Sequence, residues 1–171
     1  MSIVAGIGVL EMFDLFMAVV ASGVMSASGG TSTGSVTVPM APETTLIAEP
    51  QVPTGQFTTA VEVKPILGMT KGNWISVREF DGQDLLYVTH LWAWRCGLVE
   101  LKLGINGAAP EVWPLPECHL DQGAPNGITD ADGLPYRSFD LGSINQIEVQ
   151  ITYDDLTKEQ VTFDRMGQPK N

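Results

Sequence analysis

Positive charge is scarce in this chain of 171 residues, and no lysine or arginine precedes Lys64. Twenty acidic residues outnumber nine basic ones, which gives a formal net charge of −11. Nucleic acids and anionic lipid head groups are bound through clustered lysine and arginine side chains. The composition therefore excludes a typical nucleic-acid-binding protein, and we expect no nucleic acid among its partners.

Cysteine and histidine are almost as rare, with two of each. The chain has no H-E-x-x-H and no phosphate-loop lysine, and its carboxylates form no marked pair. We therefore predict no cofactor, no metal and no enzymatic activity. A metal site built from Cys96, Cys118, His119 and His90 is the weaker alternative, because tetrahedral sites usually show tighter paired spacing.

Residues 1–25 are rich in apolar side chains and predict a hydrophobic helix that serves as a membrane anchor or assembly helix. The apolar stretch from Ile3 to Met25 would rise about 35 Å as a helix, enough to cross a bilayer. Glu11 and Asp14 lie three residues apart and share one helix face. Because unpaired acids are costly in hydrocarbon, we expect this helix to pack against other protein subunits.

Two alternatives remain open for this segment. A cleavable secretory signal fits the apolar core and the small residues near residues 26–29, although it would lack the usual basic start. Gly6 followed five residues later by Glu11 in an apolar helix resembles the N-terminus of type IV pilin-like subunits. That resemblance implies a filament subunit.

Residues 26–56 predict a disordered linker, since Ser, Thr, Pro and Gly make up more than half of them. Residues 57–165 predict an all-β domain, and residues 166–171 a short tail. Residues 147–153 alternate apolar and polar side chains, and Asp81-Gly82 and Asn106-Gly107 are turn signals. Seven or eight short strands at this spacing are typical of an antiparallel β-sandwich.

Three segments carry a resemblance to a known fold: LVELKLGINGAAPEVW, FDLGSINQIEVQITYDD and EQVTF. Together they are similar to the second half of bacterial immunoglobulin-like or fibronectin-III-like domains. The resemblance implies an Ig-like antiparallel β-sandwich and transfers no functional residue, because such folds host many functions.

The two cysteines flank the hairpin centred on Asn106-Gly107. If its loop has three residues, Cys96 lies opposite Cys118, so a disulfide between them is geometrically natural. Disulfides persist in oxidising compartments. Together with the hydrophobic leader, the pair predicts a membrane-anchored protein whose β domain lies in the periplasm or extracellular space.

The apolar run from Leu85 to Trp94 predicts one long strand, with His90, Trp92 and Trp94 on the same face. Most such aromatic residues belong to a core, and a central strand covered by residues 114–134 is the first interpretation. The second is a binding surface formed by Trp92, Trp94 and Trp113, because exposed tryptophans are frequent binding hot spots.

The sequence as a whole predicts a non-enzymatic, exported accessory subunit that is anchored through its N-terminal helix in a membrane or a multi-subunit assembly. The alternative from a different class is a secreted or periplasmic ligand-binding module, for carbohydrate as one example, with a cleaved signal peptide. A pilin-like filament subunit is the third hypothesis.

Overall fold

A computed structural model describes residues 45–170. The predicted helix of residues 1–25, with Glu11 and Asp14, and the linker up to residue 44 lie outside them. Among the described residues, no helix has the length and apolar character needed to cross a bilayer. Within residues 45–170 the chain forms two α-helices, α1 (Ala60–Met69) and α2 (Thr89–Trp92), and seven strands, β1 (Ser76–Phe80), β2 (Gln83–Tyr87), β3 (Leu98–Ile105), β4 (Glu111–Val112), β5 (Tyr136–Asp140), β6 (Gln146–Tyr153) and β7 (Lys158–Asp164).

The strands form two antiparallel sheets, which confirms a β-rich, two-sheet architecture. One has three strands in the order β1-β2-β5, and the other has four in the order β4-β3-β6-β7. Side chains of both sheets, Leu86 and Ile151 among them, belong to one buried cluster. The sandwich-like core therefore lies between the sheets.

The predicted turns and registers agree with the structure. Asp81 and Gly82 both have positive φ and join β1 to β2. In the next hairpin, Lys102 pairs with Val112, which is the register that sets Cys96 opposite Cys118. The alternation in β6 places Ile147, Val149, Ile151 and Tyr153 in the core. Local patterning was sufficient here because period-two alternation specifies a half-buried strand.

Helix α1 corrects the prediction that residues from Phe57 onward are all β. Pro65 inside the helix and the neighbouring valines obscured it, since both lower helix propensity. Ala60, Val63 and Leu67 are fully buried on one face. Contacts with distant residues therefore select the helix.

One such contact involves Gly97, where an added Cβ would lie 2.5 Å from the Val63 side chain. A second is with Asp154, whose carboxylate accepts a hydrogen bond of 2.8 Å from the Ala60 N–H at the start of α1. Both partners follow the helix in sequence, so tertiary packing overrides the low local propensity.

The predicted long strand over Leu85 to Trp94 is wrong beyond Tyr87, where α2 takes over. Tyr87 pairs with Tyr136, and Pro135 lies just before the partner strand β5. Val88 still donates its N–H to the Pro135 carbonyl (2.8 Å), but proline has no N–H to give in return. The chain then satisfies its backbone groups in a helical turn, with the Trp92 N–H bonded to the Val88 carbonyl (3.0 Å).

Both ends of the domain are tied to its body. Upstream of residue 57, Glu49 donates its N–H to the Asp154 carbonyl, and Gln51 donates to the Asp154 carboxylate. In the C-terminal tail, Pro169 forms a bridge with Phe163 at the edge of β7. The hydrogen-bonded chain thus extends beyond the predicted domain boundaries of 57 and 165.

A buried ion pair joins β2 to the end of β7. The fully buried carboxylate of Asp84 contacts both terminal nitrogens of Arg165, at 2.5 and 2.7 Å, and Arg165 also binds Glu79 at 2.8 Å. The hydrogen-bonded guanidinium of Arg165 holds the pKa of Asp84 well below its usual value of 3.8, although burial alone would raise it. The same contacts raise the pKa of Arg165.

This pair predicts a loss of stability in acid. Because the pKa of Asp84 is lowered by folding, its contribution is fully present above its unfolded pKa and is lost as the pH falls below about 4. We expect the melting temperature of the wild type to fall more steeply between neutral pH and acid than that of Asp84→Asn. Thermal unfolding followed by circular dichroism measures both curves. The exposed Asp81→Asn is the matched control, and parallel curves for wild type and Asp84→Asn would contradict the assignment.

Candidate functional site

The structure brings together two of the three predicted binding-surface tryptophans. Trp92 at the end of α2 and Trp113 after β4 are 4% and 3% exposed and line one cleft of about 280 Å³. Trp94 is half-buried, packs edge-on against Phe57 at 5.4 Å, and lines a different cleft. The three residues form no common face because the chain leaves the strand conformation after residue 87.

The cleft at Trp92 and Trp113, called the tryptophan cleft below, has apolar walls and one cation at its rim. The exposed guanidinium of Arg137 lies 4.2 Å above the centre of the Trp113 ring, a cation–π contact. Leu134 at the rim is 65% exposed. The other lining residues are Pro114, Leu115, Pro116, Asp132 and Tyr136. Such a surface suits an apolar ligand segment that also carries an acceptor or a negative charge.

Most of this cleft belongs to a long loop, residues 113–135, between β4 and β5. Its only regular element is the 3-10 turn Asp130–Asp132. The Sγ atoms of Cys96 and Cys118 lie 2.07 Å apart, so a disulfide attaches the loop to the segment before β3. Both sulfurs are used in this bond, which leaves no thiolate for the rival metal site. Within residues 45–170, no group of three or more His, Cys, Asp or Glu side chains is placed to hold a metal ion.

The centre of the loop is held by Arg95, a residue that the sequence analysis did not single out. Its side chain is 1% exposed. The guanidinium donates to four main-chain carbonyls at 2.9 to 3.1 Å, namely those of Trp92, Glu117, Asn126 and Gly127. The sequence could have indicated this role, because Arg95 is the lone arginine within the apolar run of residues 85–98 and a buried charge needs hydrogen-bond partners.

Asp132 completes this arrangement. Its carboxylate accepts a hydrogen bond of 2.7 Å from the Thr129 N–H, lies 3.0 Å from the Nε2 atom of His119, and is 3.6 Å from Arg95. The Thr129 N–H is the main cause of the lowered pKa of Asp132, with His119 and Arg95 adding to it against the effect of burial. Burial lowers the pKa of Arg95, and the Asp132 charge opposes that change. Asp132 is therefore anionic at neutral pH and balances the buried arginine.

These contacts together fix a long, mostly irregular loop on a rigid β scaffold. No protein-family model, curated protein or solved structure matches the chain. The tryptophan cleft combines apolar side chains with the positioned cation of Arg137. Arg95 is buried inside the loop, and Asp132 both balances its charge and lines the cleft. The disulfide attaches the loop to the segment before β3.

Proposed function

We propose that this chain is a non-enzymatic, exported accessory subunit that binds another protein subunit through the loop of residues 113–135. Residues 1–25 attach it to a membrane or a multi-subunit assembly, and the β domain lies in the periplasm or extracellular space. The observation that carries the proposal is the fixed conformation of the loop, which a buried arginine and a disulfide hold in place.

Loops of this length without regular structure are uncommon in compact domains and usually functional. Burying a guanidinium costs several kcal/mol of desolvation before its hydrogen bonds are counted. A buried arginine such as Arg95 would therefore not be expected in a loop that only connects two strands. The loop it holds exposes three large apolar side chains, with Leu120 at 70%, Leu134 at 65% and Ile128 at 39%. Preorganised apolar contact area of this kind lowers the entropic cost of binding a partner.

The disulfide supports the proposed location, because structural disulfides persist in oxidising compartments. We also propose that the two sheets form an Ig-like sandwich, related in shape to bacterial immunoglobulin-like or fibronectin-III-like domains. The two antiparallel sheets around one core support it. Such sandwiches commonly present binding loops at their ends.

The rim of the tryptophan cleft gives the test of partner binding. We expect the double variant Leu134→Ser with Arg137→Ala to recover about tenfold less partner subunit than the wild type when each is purified from membranes of the native cells. A loss of this size is typical of binding hot spots. Both side chains are exposed, so the melting temperature of the domain should stay nearly unchanged. Quantitative mass spectrometry of the co-purified proteins is the measurement.

The chain offers a matched control in Leu141→Ser with Arg78→Ala. Leu141 is also exposed, at 56%, and Arg78 also stacks on an aromatic ring, that of Phe80. The control protein should recover the same partner in the same amount as the wild type. Equal recovery by both double variants would rule out the loop as the partner surface.

A further inference from the structure

A second cleft lies where the ends of β1 and β2 meet helix α2, and its lining differs in chemistry from that of the tryptophan cleft. It measures about 340 Å³ and is lined by Asn73, Ile75, Ser76, Tyr87, Thr89, His90 and Ala93. No residue in this lining is an Asp, Glu, Lys or Arg, although the chain as a whole carries a charge of −11. We propose that this cleft binds a neutral carbohydrate, and that its hydroxyl, amide and imidazole groups bond to the sugar hydroxyls.

The fold places these groups close together. Ser76 and Tyr87 are register partners at the ends of β1 and β2. Helix α2 begins two residues after Tyr87, so Thr89 and His90 follow at once, and Ala93 lies one turn further on. The cleft is thus assembled from the junction at which the sequence predicted a continuous strand.

His90 is fixed in one tautomer. The Thr70 hydroxyl donates its proton to the Ile66 carbonyl at 2.7 Å, so it accepts the hydrogen bond of 2.8 Å that joins it to Nε2 of His90. Nε2 therefore carries the proton, and Nδ1 is left as an acceptor. Burial also lowers the pKa of His90, which favours this neutral form at physiological pH.

The hydrogen-bonding capacity of the cleft is unused within the described part of the chain. Among residues 45–170, the side chains of Asn73, Ser76, Tyr87 and Thr89 have no hydrogen-bond partner. An amide and three hydroxyls supply donors and acceptors together, which matches the dual character of sugar hydroxyls. A charged ligand would find no opposite charge in this lining.

The apolar side chains of the cleft suit the C–H face of a sugar ring. The Tyr87 ring is held against Tyr136 with centroids 4.9 Å apart, and Ile75 and Ala93 complete the apolar lining. Ring and methyl groups can contact the C–H face of a pyranose while the polar groups engage its edge. A volume near the lower end of the usual range of about 300 to 1,000 Å³ for ligand pockets suits one or two sugar units.

The test is an NMR titration of the full-length chain with three soluble probes: cellotetraose, chitotetraose and maltotetraose. We expect saturable shifts of the backbone amides of Ser76, Tyr87 and His90 with at least one probe. Asn73→Ala combined with Ser76→Ala should weaken that binding about tenfold, as expected for the loss of two hydrogen bonds. Tyr87→Phe, which removes only the hydroxyl, should weaken it about threefold.

The matched control is Asn145→Ala with Ser138→Ala, two exposed residues of the same types outside the cleft. It should bind the probe as the wild type does. Absence of saturable shifts with all three probes would overturn the proposal, as would equal affinity of the cleft variants and the wild type. The partner-binding proposal is unaffected by either result, because its variants lie in the tryptophan cleft.

Discussion

Replacing Arg95 with alanine should lower the free energy of unfolding by about 3 to 5 kcal/mol, the range for removing one partner from a buried charged network. The change leaves the carbonyls of Trp92, Glu117, Asn126 and Gly127 without their donor. It also leaves the carboxylate of Asp132 without its nearby guanidinium. Urea unfolding at equilibrium measures the difference.

Two further variants separate the network from the charge itself. Arg95→Lys keeps the charge, but an ammonium group cannot reproduce the planar fork that reaches several carbonyls, so most of the loss should remain. Arg78→Ala removes an exposed arginine and should change the free energy of unfolding by less than about 0.5 kcal/mol. An Arg95→Ala protein within about 1 kcal/mol of the wild type would show that the loop does not depend on this side chain.

Removal of the disulfide is the second large effect. Cys96→Ala with Cys118→Ala should destabilise the domain by about 3 kcal/mol, because the bond closes a loop with a sequence separation of 22 residues. Urea unfolding of the oxidised wild type and the double variant measures the change. In hydrogen exchange, protection should fall first in residues 113–135, which the bond attaches to the sheet.

The reactivity of the two cysteines toward an alkylating reagent gives an independent check of the disulfide. Alkylation of the protein from its native cells without reductant should leave both cysteines unmodified, and modification should appear only after reduction. Two alkylated thiols in the untreated protein would refute both the bond and the oxidising location. Wild type in reductant should then unfold at the same urea concentration as the double variant.

The sequence predicted those parts of the fold that depend on neighbours along the chain. The alternation of β6 is visible in residues 147–153, and the turn at Asn106-Gly107 sets the register that brings Cys96 opposite Cys118. Strand alternation and turn chemistry are local properties, so a short window of residues is enough to specify them. The candidate tryptophans were also visible, but their grouping was not.

Only the tertiary structure decided which residues share a site. Helix α1 depends on a carboxylate 94 residues away, that of Asp154, and the end of β2 depends on Pro135, just before the partner strand. Arg95 finds its carbonyl acceptors up to 32 residues further along the chain. These partners are distant in sequence and close together only in the folded domain. The sequence alone therefore determined a β-rich domain with its cysteine pair, and long-range packing determined the helices, the loop and the two clefts.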